Sequence, residues 1–287
     1  MLRRTGWRGL CIGTLLIAAG IIGSAVANNR GGGSAPDAVP MVAASPDAVA
    51  RGNFGPFVRS LNDRPYGYQL VADPVLSHMG KGNSSTSLVT PLGLVERFEV
   101  RPGDCGGENA LDCGRDRERS ELSERGDRNP QGSSYWYGWS LYIPDDFANV
   151  APTKVVLGQF HQEGSHPAWM FEIDPSGYHI DNHISGRKPG EHLLINEAAL
   201  RARWHDITVY AHWTTGDEGV LQVWADNQLK FDYRGPTMSA GKVYFKYGLY
   251  RSFVSRYQNA NETDKVPAQT VYFANVKRAG SRAGLAQ

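Results

Sequence analysis

Three short segments of this chain supply the residue types needed to move a proton on an anionic substrate. They are Arg119-Ser120-Glu121-Leu122, Gln159-Phe160-His161 and Tyr244-Phe245-Lys246-Tyr247-Gly248-Leu249-Tyr250-Arg251. Between them they carry cations, an amide, an imidazole and a phenol. A cation or amide that cancels a carboxylate's charge acidifies the neighbouring C–H. An imidazole or phenol within reach then acts as base or acid. Removal of the proton beside the carboxylate of an acidic sugar is the chemistry this set suits.

Each segment reads as a strand, in which alternate residues share a face. In the third, Val243, Phe245, Tyr247 and Leu249 form an apolar face, while Tyr244, Lys246, Gly248 and Tyr250 point the other way. Gly248 marks either a place where a sugar ring lies close to the backbone or a bulge. Lys246, four residues before Tyr250 on the same face, would favour the phenolate. Gln159 and His161 share a face, and buried polar groups of this kind need partners. A lone strand histidine is more often structural than catalytic; the paired glutamine shifts that balance. In the first segment Arg115, Arg117, Arg119 and Glu121 alternate onto one face. Arg115, Arg117 and Glu118 read as a solvated ladder of ion pairs. Glu121 would hold the Arg119 guanidinium in one rotamer, leaving its fork for a substrate carboxylate.

These segments sit among many others of the same kind. Runs rich in aromatic and β-branched residues at 133–143, 154–161, 168–173, 178–184, 205–213, 220–225, 229–233, 243–251 and 270–277 are separated by turn signals. Asp226-Asn227 between two of them predicts a hairpin. Only 196–203 reads as helical. Short antiparallel strands with little helix predict an all-β fold, a two-sheet sandwich or jelly roll.

The bulk properties narrow the partners. A net charge of +1 over 287 residues gives no global field for nucleic acid. Arg3, Arg4 and Arg8 precede an apolar run at 10–26, and Ala25-Val26-Ala27 fits a cleavage site. Residues 1–27 therefore read as a signal peptide, and the body as secreted or periplasmic. An uncleaved anchor is the alternative, and the one route to a membrane. Residues 28–51 lack aromatics and read as a flexible linker, with one domain at 52–287 and a monomer expected. Cys11 leaves with the leader; Cys105 and Cys113 predict a disulfide in an oxidising compartment. Two thiols without a nearby histidine do not make a metal site.

In this order, the three segments resemble the signature strands of the jelly-roll polysaccharide lyases, with triplets closely similar to those of the alginate lyases. The nearer likeness is to the heparin lyase I and glucuronan lyase group. It rests also on the Trp/Tyr-rich strand ending in Ile143-Pro144 and on Lys246-x-Gly248-x-Tyr250-Arg251, and it spans roughly residues 95–276. The resemblance implies β-elimination on a uronate polysaccharide, giving an unsaturated uronate end. It implies that Arg119 and Gln159 bind the carboxylate and that His161 and Tyr250 transfer protons. Lys246, Arg251, Glu121 and Tyr244 would line the substrate site. Either His161 or Tyr250 would be the base, depending on which C5 epimer is bound. Calcium occurs in this group, but Asp145, Asp146 and Asp226 are explained as turn residues and no ligand set is assigned. His166 and His183 read as ordinary loop or strand residues.

Two other functions compete. A glycoside hydrolase needs two carboxylates roughly 5–10 Å apart, and the one Glu-x-Asp of the strands, Glu172-Ile173-Asp174, runs into a proline turn. A carbohydrate-binding module would use exposed tryptophans, whereas Trp136, Trp139, Trp169, Trp213 and Trp224 fall in strands that favour core packing. The cysteine assignment is checked directly: thiol labelling of the denatured mature protein without reductant should find neither Cys105 nor Cys113 free. Two labelled thiols would refute the pairing.

Overall fold

The computed structural model describes residues 46, 49–60, 66–75, 92–105, 111–126, 128–184 and 191–286. The expected leader, most of the expected linker, and the 185–190 loop lie outside these residues. Two antiparallel sheets pack face to face as a jelly-roll sandwich. The first runs β1 (Phe57–Ser60), β4 (Arg117–Glu124), β14 (Lys242–Ser252), β7 (Lys154–Gln162), β8 (Pro167–Asp174), β9 (Gly177–Asn182) and β10 (His192–Asn196), with β5 (Asn129–Pro130) beside β14. The second runs β13 (Gln228–Arg234), β12 (Val220–Ala225), β11 (Trp204–His212), β6 (Ser134–Tyr142), β15 (Gln269–Ala279), β3 (Leu94–Val100) and β2 (Tyr68–Ala72).

Period-two patterning makes these strands. In β11 the inward Ile207, Val209 and Ala211 are buried, as are Leu221, Val223 and Ala225 of β12. Asp226 and Asn227 both take positive φ (50° and 62°), the backbone of a two-residue hairpin turn. Aromatic rings fill the space between the sheets: Phe160 lies 4.8 Å from Tyr137, 5.0 Å from Trp213 and 5.0 Å from Phe245, centroid to centroid. Trp139, Trp169 and Trp213 are buried there, whereas Trp136 and Trp224 stack on each other on the outer face of the second sheet.

Four sequence expectations change. Arg51, placed in the linker, is buried, and its guanidinium donates to Glu96 at 2.6 Å and to the Tyr247 hydroxyl. Glu96 also accepts from Tyr68 Oη at 2.9 Å and Tyr247 Oη at 2.9 Å. Two further hydroxyl donors and a guanidinium make a buried carboxylate tolerable, and this network brings Arg51 into the fold. Arg115 is not on the strand, because Cys113–Arg115 is a 3-10 turn and Asp116 is left-handed (φ 62°). The expected helix is the single turn α1 (Glu197–Leu200), capped by the Asn196 side chain. A second helix, α2 (Val254–Ala260), was not expected because its cap is tertiary: Ser255 N–H donates to Asp116 Oδ1 at 2.8 Å. Residues 54–94, ahead of the span of the resemblance, contribute β1, β2 and the start of β3.

The Arg51 network carries a stability prediction. Arg51→Met leaves Glu96 without its cation and should cost on the order of 3–5 kcal/mol, read as a lower urea midpoint. An unchanged midpoint would return residue 51 to the linker.

Candidate active site

β4, β14 and β7 lie side by side, and their pairing brings the three sequence segments together. Tyr250 lies opposite Arg119, Lys246 opposite Gln159, and Tyr244 opposite His161. On the outward face of this sheet, Glu121 is the centre. Its carboxylate accepts from the Gln159 amide, from Lys246 Nζ at 2.5 Å and from Arg119 Nη1 at 3.1 Å. Burial alone would raise its pKa, but the Lys246 and Arg119 charges outweigh it and hold the carboxyl below its ordinary value.

Arg119 is gripped on its other edge as well. Nε and Nη2 donate to the two oxygens of Asp112, at 2.5 and 2.9 Å, a bidentate pair. The guanidinium carbon lies 4.3 Å from the centre of the Tyr250 ring. Burial raises the Tyr250 pKa, and Arg119 offsets this only in part, so Tyr250 is a neutral phenol at physiological pH.

His161 is prepared differently. Its Nδ1 is 2.9 Å from the Gln162 carbonyl oxygen, which can only accept. Nδ1 therefore carries the proton, and Nε2 of the neutral ring keeps its lone pair. Burial, and then the Lys246 charge, push its pKa down to about 4. Its ring lies 5.2 Å from that of Tyr244, over which the Arg128 guanidinium sits at 4.4 Å. The outward face thus carries a neutral imidazole, a neutral phenol and a row of fixed donors.

A family model described as polysaccharide lyase matches residues 83–277, well over half of the chain. The chain belongs to the polysaccharide lyase family. Its fold is similar to the crystal structure of an endo-β-1,4-glucuronan lyase from the fungus Trichoderma reesei, with a TM-score of 0.50 and 14% identity over 76% of this chain and 89% of that one. Alginate lyases also match: one of polysaccharide lyase family 7 (TM-score 0.47, 13% identity, 75% and 93% covered) and one from Corynebacterium sp. (0.46, 15%, 78% and 92%). No curated protein matches the chain in sequence.

Within this lyase, several site expectations change. Arg251 cannot line the substrate site: it is fully buried, bonded to Glu118 and, through Nη1 at 2.5 Å, to the Pro267 carbonyl. It alternates with Tyr250 and so faces inward. Lys246 does not favour a Tyr250 phenolate, because its ammonium is bound to Glu121 and the leading charge on that phenol comes from Arg119. Arg119 is the cation beside that phenol instead. Gly248 answers to the protein's own packing: at φ 130°, a Cβ there would lie 2.5 Å from the Ser120 carbonyl oxygen and 2.7 Å from the Phe98 ring. The pairing with β7 shifts register between Tyr247 and Tyr250, which is the bulge reading. Asp112 and Arg128 carried no sequence signal, since both reach the site from outside the three strands.

Among the described residues, Glu172, Asp181 and His183 bring possible metal-ligating atoms together. Lys154 Nζ already lies 2.6 Å from Glu172 and 3.3 Å from Asp181, and hydrogen bonds to Asp181 and Glu172 raise His183 to about 9. A cluster neutralised by its own ammonium and imidazolium, with two carboxylates, does not fit calcium's need for six or more oxygens.

The electrostatics set a pH dependence. If neutral His161 is needed, kcat/KM falls as pH drops through about 4 and is flat toward neutrality. Lys246→Gln removes a repelling charge, so this acid limb should move to higher pH; a pH–rate series on both proteins checks it, and an unmoved limb would contradict the assignment.

Proposed function

We propose that this lyase cleaves a uronate-containing polysaccharide by β-elimination, with His161 as the base and Tyr250 as the acid. The observation that carries the reading is the opposite preparation of these two groups around one donor row: a lone pair on His161 Nε2 and a proton held on Tyr250 Oη. The uronate carboxylate would take the remaining N–H groups of Gln159, Lys246 and Arg119. Those donors are fixed before substrate arrives, so they stabilise the charge that develops as the C5 proton leaves. His161 Nε2 accepts that proton, the C4–O bond breaks, and Tyr250 protonates the departing oxygen. Tyr244 beside His161 and Glu121 beneath the donors complete the substrate site.

A hydrolase reading is less well supported. Glu172 and Asp181 are near each other, but cations hold Asp181 below its ordinary range, whereas a general acid needs a raised carboxyl. The Cys105–Cys113 bond supports an exported protein; no helix among the described residues is long and apolar enough to cross a membrane.

Incubation with a panel of uronate polymers should give rising ultraviolet absorbance from the conjugated unsaturated uronate. Tyr250→Phe and His161→Gln should each lower kcat by about 10²–10⁴-fold. Reducing ends released without that absorbance would indicate a hydrolase, and binding without cleavage a carbohydrate-binding protein.

A further inference from the structure

Arg119 is controlled from outside its own strand. β4 fixes its backbone, but a long side chain with several rotatable bonds is not oriented by its backbone alone. Its guanidinium plane is set by the two parallel bonds to Asp112, a side chain only 4% exposed. Asp112 is itself held, because its carbonyl accepts from Arg115 N–H at 3.1 Å and Arg117 N–H at 3.0 Å. The backbone N–H of Arg119 donates to the carbonyl of Asp104 at 3.0 Å. Asp104 is also buried, and its carboxylate accepts from Arg101 N–H and Tyr66 Oη, each at 2.8 Å. Asp104 and Asp112 are the immediate neighbours of Cys105 and Cys113, which are bonded to each other. One covalent tie therefore joins the two points that grip Arg119.

We propose that Asp112 is the positioning residue of Arg119, and that the Cys105–Cys113 bridge keeps it in place, so that Asp104 and Asp112, each beside a bridged cysteine, set how the guanidinium meets the Tyr250 ring and the substrate carboxylate. The part of this that concerns substrate rests on the lyase reading of Arg119 above. The chain of contacts runs from the bridge to Asp112, from Asp112 to Arg119, and from Arg119 to Tyr250, 4.3 Å away. Asp112 acts on the site through its bidentate grip on Arg119. Opening the bridge frees the two aspartates to move independently, and the guanidinium loses its fixed plane while β4 keeps its pairing with β1 and β14.

The test reads Arg119 itself. In 15N-labelled protein the Arg119 Nε–H signal should be resolved and slow to exchange while the disulfide is intact. Reduction with dithiothreitol, the Cys105→Ser/Cys113→Ser double variant, or Asp112→Asn should each merge it with the averaged arginine signals and speed its exchange at least tenfold. On a cleaved uronate polymer the same three states should lose tenfold or more in kcat/KM with the circular dichroism spectrum retained. An Arg119 signal unchanged by both reduction and Asp112→Asn would overturn the inference, whether or not any polymer is cleaved. Wild-type protein that cleaves nothing would instead sink the catalytic reading and leave the spectroscopic result to decide the positioning role. If the double variant does not fold, reduction and Asp112→Asn give the answer.

Discussion

The outward face of the first sheet depends on one buried carboxylate. Glu121 is an ion removed from water, a state that is unfavourable unless its oxygens are fully engaged. It is engaged by three groups from three strands: Arg119 of β4, Gln159 of β7 and Lys246 of β14. Each of these is in turn oriented by Glu121. The three segments are thus one coupled unit, and the charges of Arg119 and Lys246 are balanced by Glu121 and Asp112. With those charges balanced, the three groups present oriented N–H donors more than a net field.

The same strand is anchored from behind. Tyr247, next to Lys246 but pointing inward, shares Glu96 with Tyr68 and Arg51. At one end of the sheet Glu118 binds Arg251, and Glu124 binds Arg278 at 2.7 Å. Glu118, Glu121 and Glu124 all belong to β4, so this strand supplies a carboxylate to a cation at each of three levels. The rigidity of β14, and with it the placing of Tyr244 and Tyr250, follows from ionic contacts on both faces of the sheet as well as from the aromatic core.

Much of this was legible in the chain. Aromatic and β-branched runs bounded by turn residues marked β6, β7, β8, β9, β11, β12, β13, β14 and β15, and alternation gave the faces of β11 and β14. It also put Gln159 and His161 on one face, and Tyr244, Lys246 and Tyr250 on another. Alternation failed where tertiary contacts override it. Arg251 is an arginine facing inward because Glu118 is opposite; α2 is capped by Asp116, far away in sequence. Arg51 lies in a stretch with no aromatic or periodic signal, and its burial depends on a glutamate 45 residues later.

The sequence by itself determined the fold class, the outward sides of the three strands, the pairing of Cys105 with Cys113 and the residue types at the site. These are local properties: strand periodicity, turn residues, thiol count and motif order. Only the tertiary structure decided the protonation states and the partners. His161 is a neutral imidazole through the Gln162 carbonyl, burial and Lys246, and Tyr250 a protonated phenol through its burial beside Arg119. Arg119 itself was oriented by Asp112 rather than by Glu121 alone. A pKa and a guanidinium plane depend on distances between segments remote in the chain, and no spacing within a segment encodes those distances.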